Sequence, residues 1–214
     1  MKYITKSCSP ESLEVYKTKK DACYKNIPQD VKEDVRKSLV AEQGGICCYC
    51  GKRIFPDHHS VIEHLLPKGL KQYSHLQLEY TNLLCSCDGG ETDRKGKTKT
   101  EKRKFPSFCD DKKNNKLLKV TPLDPTCEEQ FSYDEEGNIY GETDDAKDAI
   151  KILGLDCAPL NNARKAAIEP YLVLELDNEG WCDEIEDLSQ KHDGNYRSFC
   201  FAVIYYIRNF KMIV

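Results

Sequence analysis

CCYCGKR (residues 47–53), IEHLLPK (62–68), YTNLLCSC (80–87) and FCDDKK (108–113) follow one another in the first half of a 214-residue chain. The first stretch carries a Cys-x-x-Cys pair, Cys47 and Cys50, beside Tyr49 and Gly51, the spacing of a metal-binding knuckle. Cys87 and Cys109 can complete a set of four thiolates that closes a structural Zn²⁺ site. Cys85 or Cys48 remain alternatives, because the insertion at 89–106 separates the members of the second pair. A metal there would tie elements together in a unit too small to hold its geometry by packing alone. The competing reading is that the cysteines are small buried hydrophobes.

Which reading applies depends on the compartment. The first residues are polar throughout and offer no signal-peptide core, and no apolar run is long enough to cross a bilayer, so the expectation is a cytoplasmic protein without membrane contact. In a reducing cytoplasm clustered cysteines suggest a metal and scattered ones suggest packing. Of the twelve cysteines, Cys8, Cys23, Cys127, Cys157, Cys182 and Cys200 are isolated and are assigned to packing.

Three side chains in the later motifs are suited to phosphodiester hydrolysis, which needs a base to activate water and a cation to stabilise developing charge. Glu63-His64 closes an apolar strand and offers a carboxylate beside an imidazole. Asn82, before an apolar run, reads as a helix cap whose amide can also pin a loop so that the His64 ring faces the scissile phosphate. Asp110, which opens the next helix, is a second oxygen ligand for a hard cation such as Mg²⁺ (or Mn²⁺). Asp57-His58-His59 is a rival metal site nearby, read here as a polar hairpin tip.

The net charge of −4 conceals a division. Residues 1–120 carry 24 Lys and Arg against 16 Asp and Glu, whereas residues 121–214 carry 8 against 20, giving +8 and −12. A basic half suits a polyanion, and the acidic half suits a protein partner or a solvated surface. Lys68, Arg94, Lys95, Lys97, Lys102, Arg103, Lys104 and Lys113 are the candidate phosphate contacts, most of them in a Gly-, Thr- and Lys-rich loop within the motif region.

The organisation predicted from pattern has three parts: an N-terminal helical region at 1–45, the motif-bearing core at 46–120, and an acidic, mainly helical region at 121–214. A first helix follows Ser9-Pro10. A second is capped by Asp30, supported by Glu33, buries Val31, Val35 and Leu39, and stops at Gly44-Gly45. Residues 53–63 read as a β-hairpin, 78–84 as a loop entering a helix, and 112–118 as a helix. Beyond 121, a hairpin is expected across 131–140 and helices at 145–153, 161–176 and 195–210. The apolar run at 199–210 offers either core or a docking surface.

These motifs in this order resemble the HNH (ββα-metal) endonucleases, specifically the PtuB-like subfamily of Septu and related retron anti-phage systems. The motifs cover about residues 30–120, and the hairpin and Leu-rich helices to about Arg164 also fit that subfamily. It implies an α+β fold with a ββα-metal core and structural zinc. It also implies His64 as general base, Glu63 and Asp110 on the catalytic metal, Asn82 orienting the loop, zinc on the four cysteines, and an ABC/SMC-type ATPase partner (PtuA-like). Asp110 stands where many HNH proteins carry their last histidine. A nuclease acting on DNA is the favoured reading, with RNA, including tRNA, as the alternative substrate. The reading from another class is a zinc-ribbon binding module, which would need none of Glu63, Asn82 and Asp110.

Overall fold

Val31, Val35 and Leu39 line the buried face of α2 (Gln29–Glu42), as their spacing requires. In the computed structural model, which describes residues 1–102 and 104–212, α1 (Glu11–Lys17) packs beside α2. Pro28, not Asp30, is the N-cap. Its φ of −60° and ψ of 152° set the chain up to enter the helix, and Asp30 lies in the first turn at the positive end of the dipole. Glu33 accepts from Gln29 Nε2 at 2.9 Å instead of reaching back to a cap. The helix ends at Gly44 and Gly45, where the Gly45 N–H donates to the Val40 carbonyl at 2.9 Å.

That stop delivers the chain into the cysteine knuckle. Cys47 N–H donates to Lys52 O at 2.8 Å and Gly51 N–H to Cys47 O at 3.1 Å, closing a tight turn. Gly51 has φ 77°, and a Cβ there would lie 2.4 Å from the Phe201 ring, so a larger residue is excluded on both counts.

The expected hairpin across 53–63 does not form. A turn occurs at Asp57, but the first arm makes only an isolated bridge, Ile46 with Arg53. The partner of β1 (Ser60–His64) is instead β2 (Leu83–Cys87), antiparallel, with Glu63 opposite Leu84 and His64 opposite Leu83. All five residues of β2 are buried, and an apolar run of that kind needs cover on both faces, which a local hairpin would not have given it. The expected helix after Asn82 is therefore this strand, preceded by a 3₁₀ turn at Tyr80–Asn82.

Two short helices, α3 (Glu91–Arg94) and α4 (Lys99–Lys102), interrupt the lysine-rich loop. The next helix, α5 (Cys109–Lys113), is displaced from the expected 112–118 and stops where Asn114 adopts φ 50°. It packs against β2, so the order strand, strand, helix is completed across two insertions.

Beyond residue 120, β3 (Phe131–Tyr133) and β4 (Ile139–Gly141) form the expected hairpin, followed by α6 (Asp144–Leu153), α7 (Ala158–Leu172), α8 (Asn178–Ser189) and α9 (Cys200–Tyr206). The sequence reading missed α8, although Asp177 caps it by accepting from Gly180 N–H at 2.9 Å and it buries Trp181 and Leu188. The apolar run is core from 199 to 207, where α9 buries six of its residues and Ile207 follows; Phe210, in the π turn at Ile207–Lys211 that continues the helix, is exposed.

Buried apolar residues from both charge halves form one cluster, from Leu13 and Leu39 through Leu83 and Leu84 to Leu153, Ile168, Trp181 and Ala202. The halves are also pinned by backbone. Ile4 N–H donates to Pro122 O at 2.8 Å, Tyr196 N–H to Gly44 O at 2.9 Å and Phe199 N–H to Gly51 O at 3.0 Å. Among the described residues no helix is long and apolar enough to cross a membrane.

Candidate active site and thiolate cluster

Cys47 and Cys50 from the knuckle, Cys87 from the end of β2 and Cys109 from the start of α5 bring their sulfurs within 4.8 Å of one another, all four buried. Among the described residues this is the only place where three or more metal-ligating side chains converge. Cys47 and Cys109 are 3.8 Å apart, and Cys50 and Cys87 are 3.9 Å apart. Four sulfurs about 2.3 Å from a central ion in a tetrahedron would have edges of about 3.8 Å, so the set fits a tetrahedral thiolate site. Burial raises the Cys47 thiol, but hydrogen bonds from Cys109, Cys48, Cys50 and Cys87 outweigh it and hold it well below the usual thiol range. Cys85 and Cys48 stay outside. The Cys85 backbone is clamped by Gln43 in both directions, at 2.7 and 2.8 Å, and burial pushes its thiol up to about 12. Two of the cysteines assigned to packing, Cys8 and Cys182, are exposed.

His64 ends β1 and is 3 % exposed. Its Nε2 lies 3.0 Å from the Gln77 carbonyl, which can only accept, so Nε2 carries the proton and Nδ1 the lone pair. Lys68 Nζ lies 3.4 Å from Nδ1, and the edge of the ring meets Tyr24 at 4.4 Å between centroids. Burial first and then the Lys68 charge bring the imidazole down to about 4, against the opposing effects of Gln77 and Asp110. His64 is therefore neutral at pH 7.

Asn82 pins the chain that carries Gln77. Its Oδ1 accepts from Leu66 N–H at 2.8 Å, and its Nδ2 donates to Leu66 O at 3.0 Å and to Leu76 O at 3.3 Å. Leu76 directly precedes the residue whose carbonyl fixes the His64 tautomer.

Glu63 and Asp110 meet in the same cleft. Glu63 Oε1 accepts from Tyr49 OH at 2.9 Å and from Lys113 Nζ at 2.6 Å. Burial, then the hydrogen bond and charge of Glu63, push Asp110 up to about 8. Two neighbouring carboxyl groups are a fitting seat for a hard divalent cation, whose charge would offset the repulsion that Asp110 meets from Glu63. The cleft has a volume of about 440 Å³ and is lined by Tyr24, Glu63, His64, Lys68, Asp110 and Asn114 with their neighbours.

The candidate phosphate contacts separate on inspection. Lys68 faces the cleft. Lys113 does not: it is 0 % exposed, with its ammonium held by Glu63 and by the His64 carbonyl at 3.0 Å, which leaves no face for a phosphate. Arg94 is also engaged, with Asp111 at 2.5 Å and the carbonyls of Gly89 and Pro106 at 3.1 Å, and so braces the insertion. Lys95 and Lys102 line an adjoining cleft of about 550 Å³ that shares Asp111 with the first. Lys97 lies over the Phe105 ring at 4.6 Å, and Lys104 is exposed. Arg103 lies outside the described residues. Asp57, His58 and His59 form a polar turn, with His59 N–H capped by Asp57 Oδ1 at 2.8 Å, and gather no further ligand among the described residues.

Sequence reasoning missed two residues. Tyr24 reaches His64 from the N-terminal region, and nothing local in its stretch marks it. Tyr49 was noted only as a neighbour of the knuckle; its signal was an aromatic hydroxyl in a run of buried cysteines, where it has to find a partner.

A neutral imidazole with a lone pair, two neighbouring carboxyls and a lysine over one cleft are the equipment of a hydrolase acting on phosphodiesters. No protein-family model matches the chain. Over 154 residues the chain is 33 % identical to "Retron Vc95 putative HNH endonuclease" of Vibrio cholerae serotype O1 biovar El Tor, a match covering 68 % of this chain and 69 % of the relative. The chain belongs to the HNH endonuclease family, and it is a nuclease.

Proposed function

We propose that this nuclease hydrolyses DNA at the Glu63–His64–Asp110 cleft, on a ββα-metal core formed by β1, β2 and α5, as the effector of an anti-phage defence complex. The carrying observation is the His64 tautomer: with Nε2–H held by Gln77, Nδ1 is the only ring atom able to take a proton from water. A scissile phosphate entering the cleft draws the Lys68 ammonium from Nδ1, freeing the lone pair as the substrate arrives. Asn82, through Leu76, keeps Gln77 in place and with it the ring. Glu63 and Asp110 hold Mg²⁺ or Mn²⁺, which when bound supplies charge stabilisation at the phosphate and the leaving oxygen. Zinc on Cys47, Cys50, Cys87 and Cys109 is structural, since a set of four thiolates leaves no open position for substrate.

Lys68, Lys95, Lys97, Lys102 and Lys104 extend the cleft into a phosphate track. The defence role rests on the retron named in the Vibrio cholerae relative, and the PtuB-like motifs favour an ABC/SMC-type ATPase as partner in the cytoplasm. RNA is the second substrate, because a ββα site engages the backbone more than the bases.

His64→Ala should abolish cleavage of plasmid DNA in Mg²⁺ while leaving the fold and DNA binding intact. Full activity in that variant rejects the site. Parallel digestion of plasmid DNA and cellular RNA, with and without the product of the neighbouring gene, decides the substrate and the partner.

A further inference from the structure

Every contact on Glu63 described above comes from a segment that carries a cysteine of the thiolate cluster. Tyr49 lies between Cys47 and Cys50, Asp110 follows Cys109, and Lys113 lies one turn further along the same helix. Tyr49 is fully buried, and its hydroxyl reaches out of the knuckle to Glu63 Oε1 at 2.9 Å. The Lys113 ammonium converges on the same oxygen at 2.6 Å and is fixed a second time by the His64 carbonyl at 3.0 Å. Two donors on one oxygen fix the orientation of the carboxyl group, and neither takes Oε2.

We infer that Tyr49, with Lys113, is a positioning residue for the reaction: it holds Glu63 in the orientation that serves the cleft and so couples the thiolate cluster to the carboxylate pair. This rests on the assignment of Glu63 and Asp110 as cation ligands. The knuckle is then more than a staple. Outer partners of a ligating carboxylate fix its direction and basicity, and their removal commonly costs about 10- to 100-fold in metal affinity. The plainer alternative is that a buried tyrosine needs some acceptor and Glu63 is the nearest one, in which case the bond contributes only to folding.

The test is Mn²⁺ binding, followed by the electron paramagnetic resonance signal of free Mn²⁺, on full-length protein carrying His64→Ala so that no turnover intervenes. Adding Tyr49→Phe should weaken Mn²⁺ binding by about 10- to 100-fold, with the metal held by the cysteines and the unfolding midpoint little changed. Replacing Tyr49 with para-aminophenylalanine, which keeps a donor at the ring tip, should restore most of the affinity. Lys113→Met should weaken binding in the same direction, and it carries the test should Tyr49→Phe fail to fold. Unchanged Mn²⁺ affinity in a folded Tyr49→Phe protein, while Glu63→Gln weakens it, overturns the inference and leaves the ligand assignment standing. If Glu63→Gln also leaves affinity unchanged, Glu63 holds no cation and both fall.

Discussion

Asn82 provides a quantitative test of how the His64 ring is held. Its side chain makes three part-buried hydrogen bonds, at 2.8, 3.0 and 3.3 Å. At about 1 kcal/mol net for each, Asn82→Ala should destabilise the fold by about 3 kcal/mol, within the tolerance of a domain whose total is about 5–15 kcal/mol. Asn82→Asp is the more discriminating change. The introduced carboxylate keeps the acceptor for Leu66 N–H but turns its second oxygen, without a proton, toward the carbonyls of Leu66 and Leu76. At pH 7 it should therefore cost at least as much as alanine, although it is the closer isostere. Protonation would restore a donor, so its folded pKa is raised. Stability is then greatest at low pH and is lost as pH climbs through that value, which makes the deficit shrink toward pH 5. Urea unfolding at the two pH values, with kcat measured in parallel, reads both effects. Because Leu76 carries Gln77, kcat should fall by about 100-fold in either variant, less than in His64→Ala. An Asn82→Asp protein as stable as wild type at pH 7, or with kcat unchanged, would refute the chain of contacts from Asn82 to His64.

Three further outcomes follow from the geometry. Cys50→Ser should lose the tightly held metal whereas Cys85→Ser should keep it in full, measured by elemental analysis of purified protein; equal loss from both would place the ligand set elsewhere on β2. His64, lowered to about 4 when folded against 6.5 unfolded, contributes stability that is present above the unfolded value and lost as pH falls toward the folded one. The loss should be about 2 kcal/mol between pH 7 and pH 5, and His64→Gln should abolish that slope in urea unfolding. Neutralising Lys95, Lys97, Lys102 and Lys104 to glutamine should weaken DNA binding regardless of sequence and reduce the slope of log K against log salt by roughly 3 to 4 units; an unchanged slope would leave these lysines as a solvated loop.

What could be read in advance was chemistry that depends on residue type. A Cys-x-x-Cys pair, an acidic residue before a histidine and an amide able to bond in both directions constrain their partners wherever the chain goes: Cys47 lies in the cysteine cluster, Glu63 and His64 line one cleft, and Asn82 bonds in both directions. What could not be read was non-local. β1 looked like half of a local hairpin because its partner lies beyond an insertion, and β2 looked like a helix because Asn82 is equally good as a cap. Lys113 and Arg94 counted as basic surface, since a charge in the sequence carries no sign of the carboxylate that captures it; Glu63 and Asp111 do so only after the fold has closed. The helix bearing Trp181 and Leu188 was hidden in an acidic stretch whose apolar residues are sparse.

The contact between Gly51 and Phe201 has a consequence for the order of synthesis. The knuckle at 47–52 leaves the ribosome early, yet the ring that packs on its glycine and the Phe199 amide that bonds Gly51 arrive only when α9 is made. A nascent chain thus displays the knuckle cysteines long before the surface that backs their turn exists. The packing behind the knuckle is therefore completed only once α9 has been made.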